Sequence, residues 1–383
     1  MIQRPLWINK INQAWKSRPI IWLSGVRRVG KTTLSKMLGK IVYLNCDLPS
    51  TRRRLQDSES FYKSMENNSI IVFDEIHRLE DASQLLKIGA DEYTDFHILA
   101  TGSSTLSATK KFRDSLTGRK YSIYLAPVLW DECRSQFNIR NLDKRLLHGG
   151  LPEPLLADVR DDTYFSEWID SFYARDIQEL FGIRNRSGFL KLLRILMRQS
   201  GGLLDYTHLA KLSDLSRPTV KSHLESLSIA HAITLLAPYH GGGRREITQR
   251  PKAYIFDTGF ISYINGWNQI DDDDRGLLWE HLVLDTLRTH FPLFNILYWR
   301  DKSNREVDFI VRGSNGAIHA LECKINQDNF NTKSLEKFRE LYPVGKNLVI
   351  SPFVDGSYIR KMKGLSIIFC STDSISQILS QKE

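Results

Sequence analysis

The stretch GVRRVGKTTL, Gly25 to Leu34, restricts the folds open to this chain more than any other. Two glycines with four residues between them, followed by Lys31 and Thr32, make the pattern G-x-x-x-x-G-K-[ST]. An apolar run, IIWLS, precedes it, and KTTLSKMLG, with helical spacing, follows. A strand, a glycine-rich loop and a helix N-terminus in that order turn backbone N–H groups toward an anion. Lys31 would then reach the β- and γ-phosphates of ATP, and the Thr32 hydroxyl would ligate magnesium. Gly25, Val26, Arg27, Arg28, Val29, Gly30, Lys31, Thr32 and Thr33 are the candidate contacts. The competing reading is a chance glycine-rich turn.

A second stretch weakens that competitor. SIIVFDE (69–75) is an apolar strand ending in two carboxylates. Such a strand would put Asp74 near the metal and Glu75 where it can deprotonate an attacking water. A third strand, HILATGSS, ends in hydroxyls, so Thr101 or Ser103 could touch the γ-phosphate; a strand-to-helix cap explains the serines nearly as well. Arg119, in LTGRK, fits an arginine finger that stabilises transition-state charge, and fits a surface arginine equally.

Five short runs rich in Ile, Val, Leu or Tyr fall at 19–25, 40–47, 69–75, 96–102 and 121–127. Near-continuous apolar strands alternating with helices imply a parallel α/β sheet buried on both faces. From about Leu146 to Leu227 the apolar period is helical. DYTHLAKLSDLSRPTVKSHLESL (205–227) reads as helix, turn, helix, with Leu209 and Leu212 inward and Ser216 capping the second helix. The second helix leaves Arg217, Thr219, Lys221 and Ser222 for its outer face. Two strands around HGGGRRE follow, the turn carrying Arg244 and Arg245. That order makes a winged helix, suited to duplex DNA or equally to a scaffold that packs on protein.

The run DDDD (271–274) reads as a boundary, because contiguous like charges avoid a packed core. Beyond it come a helix, the strands NILYWR, EVDFIVR and AIHALECK, a helix, and a last strand NLVISP. Asp308 lies on one strand, and Glu322 and Lys324 stand two apart on the next, so both face one side with Cys323 on the other. Glu280, on the preceding helix, adds a carboxylate. Clustered carboxylates bind magnesium and activate water against a phosphodiester, with Lys324 steadying charge. The helix–strand–strand–strand–helix–strand order with D…E-x-K resembles restriction-endonuclease-like nucleases of the PD-(D/E)xK type. An inherited fold whose charged cluster now forms a buried ion-pair network is the alternative.

Taken together, GVRRVGKTTL, FDEIHRL, ATGSS, LTGR, LAPVLWDE, GGLPEP (149–154), FYARDIQELFGIRN (172–185), KAYIFDTGF (252–260) and YWR…EVDFIV…ALECK resemble a group of prokaryotic AAA+-class ATPases. The C-terminal domain of that group is catalogued as of unknown function. The resemblance spans nearly the whole chain. It implies a P-loop ATPase core over 1–145, a helical lid or linker over 146–200, a winged helix over 201–265 and a small α/β, endonuclease-like domain over 275–383. LAPVLWDEC lacks the usual Ser after the Pro, and ECK has Cys where Val is commoner; neither departure touches a proposed catalytic group.

Bulk properties fit this reading. The 383 residues exceed one compact domain, and 25% charged with 42% hydrophobic residues suits a globular chain. A net charge of +9 suits a polyanionic partner, or only a solvated basic surface. Four scattered cysteines with no C-x-x-C pair argue against zinc or disulfides. The start has no signal-type apolar core and no run reaches membrane-spanning length, so a cytoplasmic location is expected. Three functions stay open: an ATPase driving DNA handling, with or without cutting, an ATP-switched DNA-binding regulator, and a protein-interaction scaffold. AAA+ resemblance adds self-association as an expectation.

Overall fold

The computed structural model describes residues 2–102, 110–241, 250–313 and 316–381, which fall into two compact units. The first unit comprises 1–126, 170–184 and 229–232; the second comprises 127–169, 185–228 and 233–383. Ser103, Ser104, Arg244 and Arg245 lie outside the described residues.

In the first unit, β1 (Ile20–Ser24), β2 (Ile41–Asn45), β3 (Ile70–Asp74), β4 (His97–Thr101) and β5 (Lys120–Tyr124) form one parallel sheet in the order β2-β3-β4-β1-β5. The composition of each strand sets its place. IIWLS is buried at every position and IIVFD and HILAT at four of five, so these fill the centre, where both faces are covered. IVYLN and KYSIY carry polar residues and take the edges. Trp22 packs edge-on against Phe112 on one face, in the cluster that holds Phe61, Tyr62 and Phe73. The Trp15 indole N–H, from the helix Pro5–Trp15, donates to the Ile98 carbonyl at 3.1 Å and ties that helix to the sheet. The helix after the glycine-rich loop spans only Lys31–Ser35, shorter than the run KTTLSKMLG suggests. Gly39, at φ +93°, turns the chain toward β2 at the far edge.

The second unit opens with short helices. It continues through Arg186–Arg198, Tyr206–Ser213 and Arg217–Ile229, whose last residue enters the first unit, and then an antiparallel hairpin of β6 (Ile233–Leu236) and β7 (Lys252–Ile255). Leu209 is 1% exposed, but Leu212 is 44% exposed, so the inward placement expected for Leu212 is corrected. Asp271–Asp274 leads into a helix. Asp271 caps the helix Asp272–His290, accepting from the Asp274 N–H at 2.8 Å, and the acidic first turn complements the helix dipole.

A six-stranded mixed sheet follows: β8 (Ile296–Arg300), β9 (Glu306–Arg312), β10 (Ile318–Cys323), β11 (Asn347–Ile350), β12 (Ser357–Met362) and β13 (Leu365–Cys370), in the order β12-β13-β11-β10-β9-β8. The sheet does not end at NLVISP. A hairpin turning at Lys363 and Gly364, both at positive φ, adds two strands on that side.

Two quoted motifs meet in a buried polar knot of this unit. Asp257, 2% exposed, accepts from the N–H groups of Gly150 (2.7 Å), Leu151 (3.0 Å) and Gly259 (2.7 Å). Gly149, at φ +79°, passes so close that a Cβ there would sit 1.9 Å from Asp257 Oδ1. Arg145 completes the knot, its Nε donating to the Val128 carbonyl at 2.9 Å and its Nη1 to Thr258 Oγ1 at 3.2 Å. Hydrogen bonds to a buried charge contribute about 1.5–3 kcal/mol each. Asp257→Ala should therefore lose at least about 3 kcal/mol in urea unfolding of the full chain, and an unchanged midpoint would remove the knot as a determinant of the unit.

Candidate functional site: the phosphate loop and a buried carboxylate

The loop from Gly25 to Gly30 leaves the carboxyl end of β1, where open α/β sheets bind ligands. Gly25, at φ +148°, runs against β5, and a Cβ there would meet the Leu125 carbonyl oxygen at 2.7 Å. Arg28 (φ 61°) and Gly30 (φ 100°) also take left-handed backbone, which folds the loop tightly. Buried Val26 and Val29 pin it from beneath, and Thr33 is exposed on the short helix. Lys31 curls over the loop, its Nζ donating to the carbonyls of Gly25 and Val26 at 3.0 Å each. Burial lowers the Lys31 ammonium, against the pull of Glu75, Asp176 and Asp74.

Asp74, at the end of β3, is 4% exposed and accepts from three hydroxyls. Thr32 Oγ1 and Tyr43 Oη donate to its Oδ2 at 2.8 and 2.5 Å, and Thr101 Oγ1 donates to its Oδ1 at 2.5 Å. Thr101 also accepts the Glu75 N–H at 3.1 Å. One carboxylate thus joins the loop helix, β2, β3 and β4. Burial and the Asp74 hydrogen bond push the Tyr43 phenol up. Sequence reasoning missed Tyr43; its only signal is a phenol in the strand beside β3.

Glu75 sits in left-handed backbone (φ 56°, ψ 43°), a conformation that a non-glycine residue holds at a cost of about 1 kcal/mol or more. The bend turns its carboxylate off the strand, and Oε2 lies 3.2 Å from His77 Nδ1. Burial holds the His77 imidazole below its ordinary value.

The stretch Tyr173–Gln178 is wound as a π-helix and continues through Glu179–Phe181. Phe172, Tyr173 and Ile177 are buried, and the Tyr173 hydroxyl donates to the Ile183 carbonyl at 2.8 Å. Asp176 Oδ2 stands 3.5 Å from Arg27 Nη1 of the loop. Arg78, three residues past Glu75, donates to Glu179 Oε1 at 2.9 Å and to Asp47 Oδ1 at 3.1 Å. The cavity bounded by Gly25, Lys31, Glu75, Gly102, Arg175 and Asp176 holds about 70 Å³.

Arg119 does not join this group. It precedes β5, at the amino end of the strands and so the opposite edge of the sheet, and its Nε and Nη2 grip Asp91 at 2.5 and 2.9 Å. The arginine-finger expectation is corrected within this chain: the two-pronged pair anchors Arg119 away from the loop.

In the second unit, Glu280, Asp308, Glu322 and Lys324 come together. Lys324 Nζ lies 3.1 Å from Glu322 Oε2 and 4.0 Å from Asp308 Oδ2. Asp308 Oδ2 accepts the Cys323 N–H at 2.7 Å, and the Tyr254 hydroxyl donates to Glu280 Oε2 at 3.2 Å. Sequence reasoning missed Lys252, from β7, which pairs with Glu306 as Arg300 does at 3.0 Å. Burial and the Asp308 charge push Glu280 and Glu322 each up to about 8. Burial pulls Lys252 down, but Glu280, Glu306 and Asp308 more than offset it and leave it raised. Among the described residues, no three Asp, Glu, His or Cys side chains converge to hold a metal ion. All four cysteines are free and buried. Among the described residues, no helix is long and apolar enough to cross a membrane.

Comparison with known proteins divides the chain in three. Residues 17–134 match the family model described as an AAA domain. Residues 139–271 and 275–362 match two models each described as a domain of unknown function (DUF8612 and DUF4143). An uncharacterized protein of Mycobacterium tuberculosis is 26% identical over 338 residues, covering 85% of this chain and 74% of its own. One of Methanocaldococcus jannaschii is 25% identical, covering 80% and 75%. Among solved structures, the RuvB Holliday junction branch migration motor of Thermotoga maritima is 16% identical, covers 61% of this chain and 89% of that one, and has a TM-score of 0.30. A STAND protein with a tetratricopeptide repeat sensor from Pyrococcus horikoshii is 15% identical, covers 76% and 46%, and also has a TM-score of 0.30. The parallel sheet with the glycine loop at the end of β1 gives the first unit an α/β P-loop fold, and its residues 17–134 are similar to AAA domains.

Proposed function

We propose that this chain binds magnesium–ATP at the Gly25–Thr32 loop and hydrolyses it with Glu75 as the base. The observation that carries the reading is the convergence of Lys31, Thr32, Asp74 and Glu75 at one end of the sheet. Fit is supported by chemistry already present: a left-handed glycine loop that admits close backbone approach, and a hydroxyl and a carboxylate 2.8 Å apart. When bound, magnesium–ATP supplies the phosphoanhydride bond and a cation that disperses its charge. Loop amides and the Lys31 ammonium hold the phosphates, and Thr32 and Asp74 hold the cation. Thr101 fixes Asp74 and the Glu75 N–H, so the Glu75 carboxylate is aimed by its own bent backbone. There it accepts the proton of the attacking water.

The second unit is proposed as the part that ATP turnover serves. Two helices and a hairpin, with Arg217, Lys221 and Ser222 exposed on the second helix, support a winged helix that contacts duplex DNA. Thr219 is instead drawn into the helix cap, its hydroxyl 2.7 Å from Ser216 Oγ. The sheet beyond, with Glu280, Asp308, Glu322 and Lys324 on it and its flanking helix, supports a PD-(D/E)xK-like fold. Its arrangement does not fit a metal centre: Lys324 lies between Glu322 and Asp308, and Lys252 and Arg300 claim Glu306. A buried ion-pair network in a domain that does not cut is therefore preferred to a nuclease.

Four measurements test these proposals. Glu75→Gln should keep ATP affinity within about threefold and lower turnover by at least about 100-fold; undiminished hydrolysis removes Glu75 from the chemistry. Replacing Arg217 and Lys221 together by Glu should abolish a gel shift of duplex DNA, and unchanged affinity would assign the module to protein contacts. The ion-pair network carries a pH signature. Glu280 and Glu322 titrate near 8 when folded and near 4.5 when unfolded, so the native state holds more protons than the unfolded chain in between. Stability is therefore full below the unfolded value and falls as pH rises through 8. From pH 7 to 9 the second unit should lose about 2 kcal/mol in urea unfolding, and Glu280→Gln should flatten the slope. Plasmid nicking by the wild type with magnesium, lost in Lys324→Ala, would restore the nuclease reading.

A further inference from the structure

We infer that Asp176 is a built-in stand-in for phosphate: seated on Arg27, it closes the nucleotide cleft, and an arriving nucleotide must evict it. The inference rests on the ATP reading above and concerns how that same site is regulated.

Four observations carry it. The first is position: Asp176 is among the residues that line the cavity, together with Gly25, Lys31 and Glu75. The second is charge. Asp176 Oδ2 faces Arg27 Nη1 at 3.5 Å and also attracts the Lys31 ammonium, both of them candidate phosphate contacts. The third is incomplete satisfaction. Asp176 Oδ2 is buried and, among the described residues, receives no hydrogen bond, so the contact is an ion pair at long range. A carboxylate held that way is easier to displace than one gripped as Asp91 is by Arg119. The fourth is space. The cavity of about 70 Å³ is far below the several hundred Å³ of sites that enclose a drug-sized ligand. With Asp176 seated, the enclosed space beside the loop is therefore small.

The segment that carries Asp176 is suited to moving. Its π-helical turn holds one residue more than an α-turn, and such turns are frequent at functional sites. Gly182, at φ +65°, ends the helical run just beyond it. The chain enters the first unit at 170 and leaves it after 184, so this segment is a covalent link between the two units. Phosphates carry more negative charge than one carboxylate and accept from the loop amides as well as from Arg27, so they win the site. The Asp176 carboxylate would then lie beside the negatively charged triphosphate, which favours eviction over coexistence.

The test uses the full chain, magnesium and the non-hydrolysable analogue AMP-PNP, with affinity read by calorimetry. Asp176→Asn keeps the shape and removes the charge, and should bind AMP-PNP roughly tenfold more tightly than the wild type. Hydrogen exchange of the wild type should show residues 173–181 exchanging faster once AMP-PNP is bound, while 25–35 slow down. Equal or weaker binding by Asp176→Asn, with a wild type that binds, overturns the plug and leaves the nucleotide site standing. A wild type that binds no AMP-PNP removes the nucleotide site and the plug together. Should Asp176→Asn fail to fold, the exchange experiment decides alone: added protection of 173–181 on binding would mean that Asp176 belongs to the occupied site.

Discussion

A single buried carboxylate organises the first unit. Asp74 lies at the end of a central strand, nearly out of reach of water, and an anion there is tolerated only if its oxygens are satisfied. Three hydroxyls do so, from Thr32, Tyr43 and Thr101. Each comes from a different element, so the register of β2 on β3, of β3 on β4 and the start of the loop helix meet in one interaction. At about 1.5–3 kcal/mol for a hydrogen bond to a charged group, the three together are comparable with the net stability of a small domain. The same convergence leaves hydroxyl and carboxylate oxygens close together beside Lys31. Structural economy and cation chemistry are served by the same atoms.

The bend at Glu75 follows from that arrangement. Once Thr101 accepts the Glu75 N–H and donates to Asp74, the backbone after β3 is pinned on both sides of the peptide. Left-handed geometry at Glu75 is the result, and its cost is offset by the bonds around it. The carboxylate cannot continue the strand's alternation and is swung out beside His77 and the loop. A residue whose orientation is imposed by its neighbours' hydrogen bonds is pre-organised without needing contacts of its own.

Much of this was legible in the sequence, and the exceptions share a cause. The glycine loop, the five strands and the pairing of Asp74 with the loop are local or periodic signals, which a chain displays without its partner segments. What escaped depends on distant segments meeting. Tyr43 reads as one more strand residue until β2 is laid beside β3. Asp176 lies 149 positions from Arg27, in a run whose spacing shows only a helix. Arg119 has the composition of a finger but the address of an anchor, because it precedes its strand instead of following it. The hairpin β12–β13 escaped for a local reason: SYIRKM alternates weakly and is mostly exposed, so the Lys363-Gly364 turn was its main signal. Leu212 kept the helical period yet stayed exposed, since period alone does not say which stripe meets the core.

The two units handle buried acid in opposite ways, and the contrast bears on what each can do. Asp74 is surrounded by neutral donors, so its charge remains available to a cation that approaches through the cleft. Around Glu280, Asp308 and Glu322 the neighbours are already ions, and Lys324 and Lys252 supply cations from within the chain. Burial and the remaining imbalance raise Glu280 and Glu322 toward protonation. A site balanced by its own lysines and by protons has less to gain from an external metal than one balanced by hydroxyls. Asp176 stands between these cases: it meets an arginine, but its Oδ2 does so only at 3.5 Å. Where a buried anion is satisfied loosely by a cation that a ligand can also use, the pair acts as a switch; where it is satisfied by several fixed partners, it acts as scaffold.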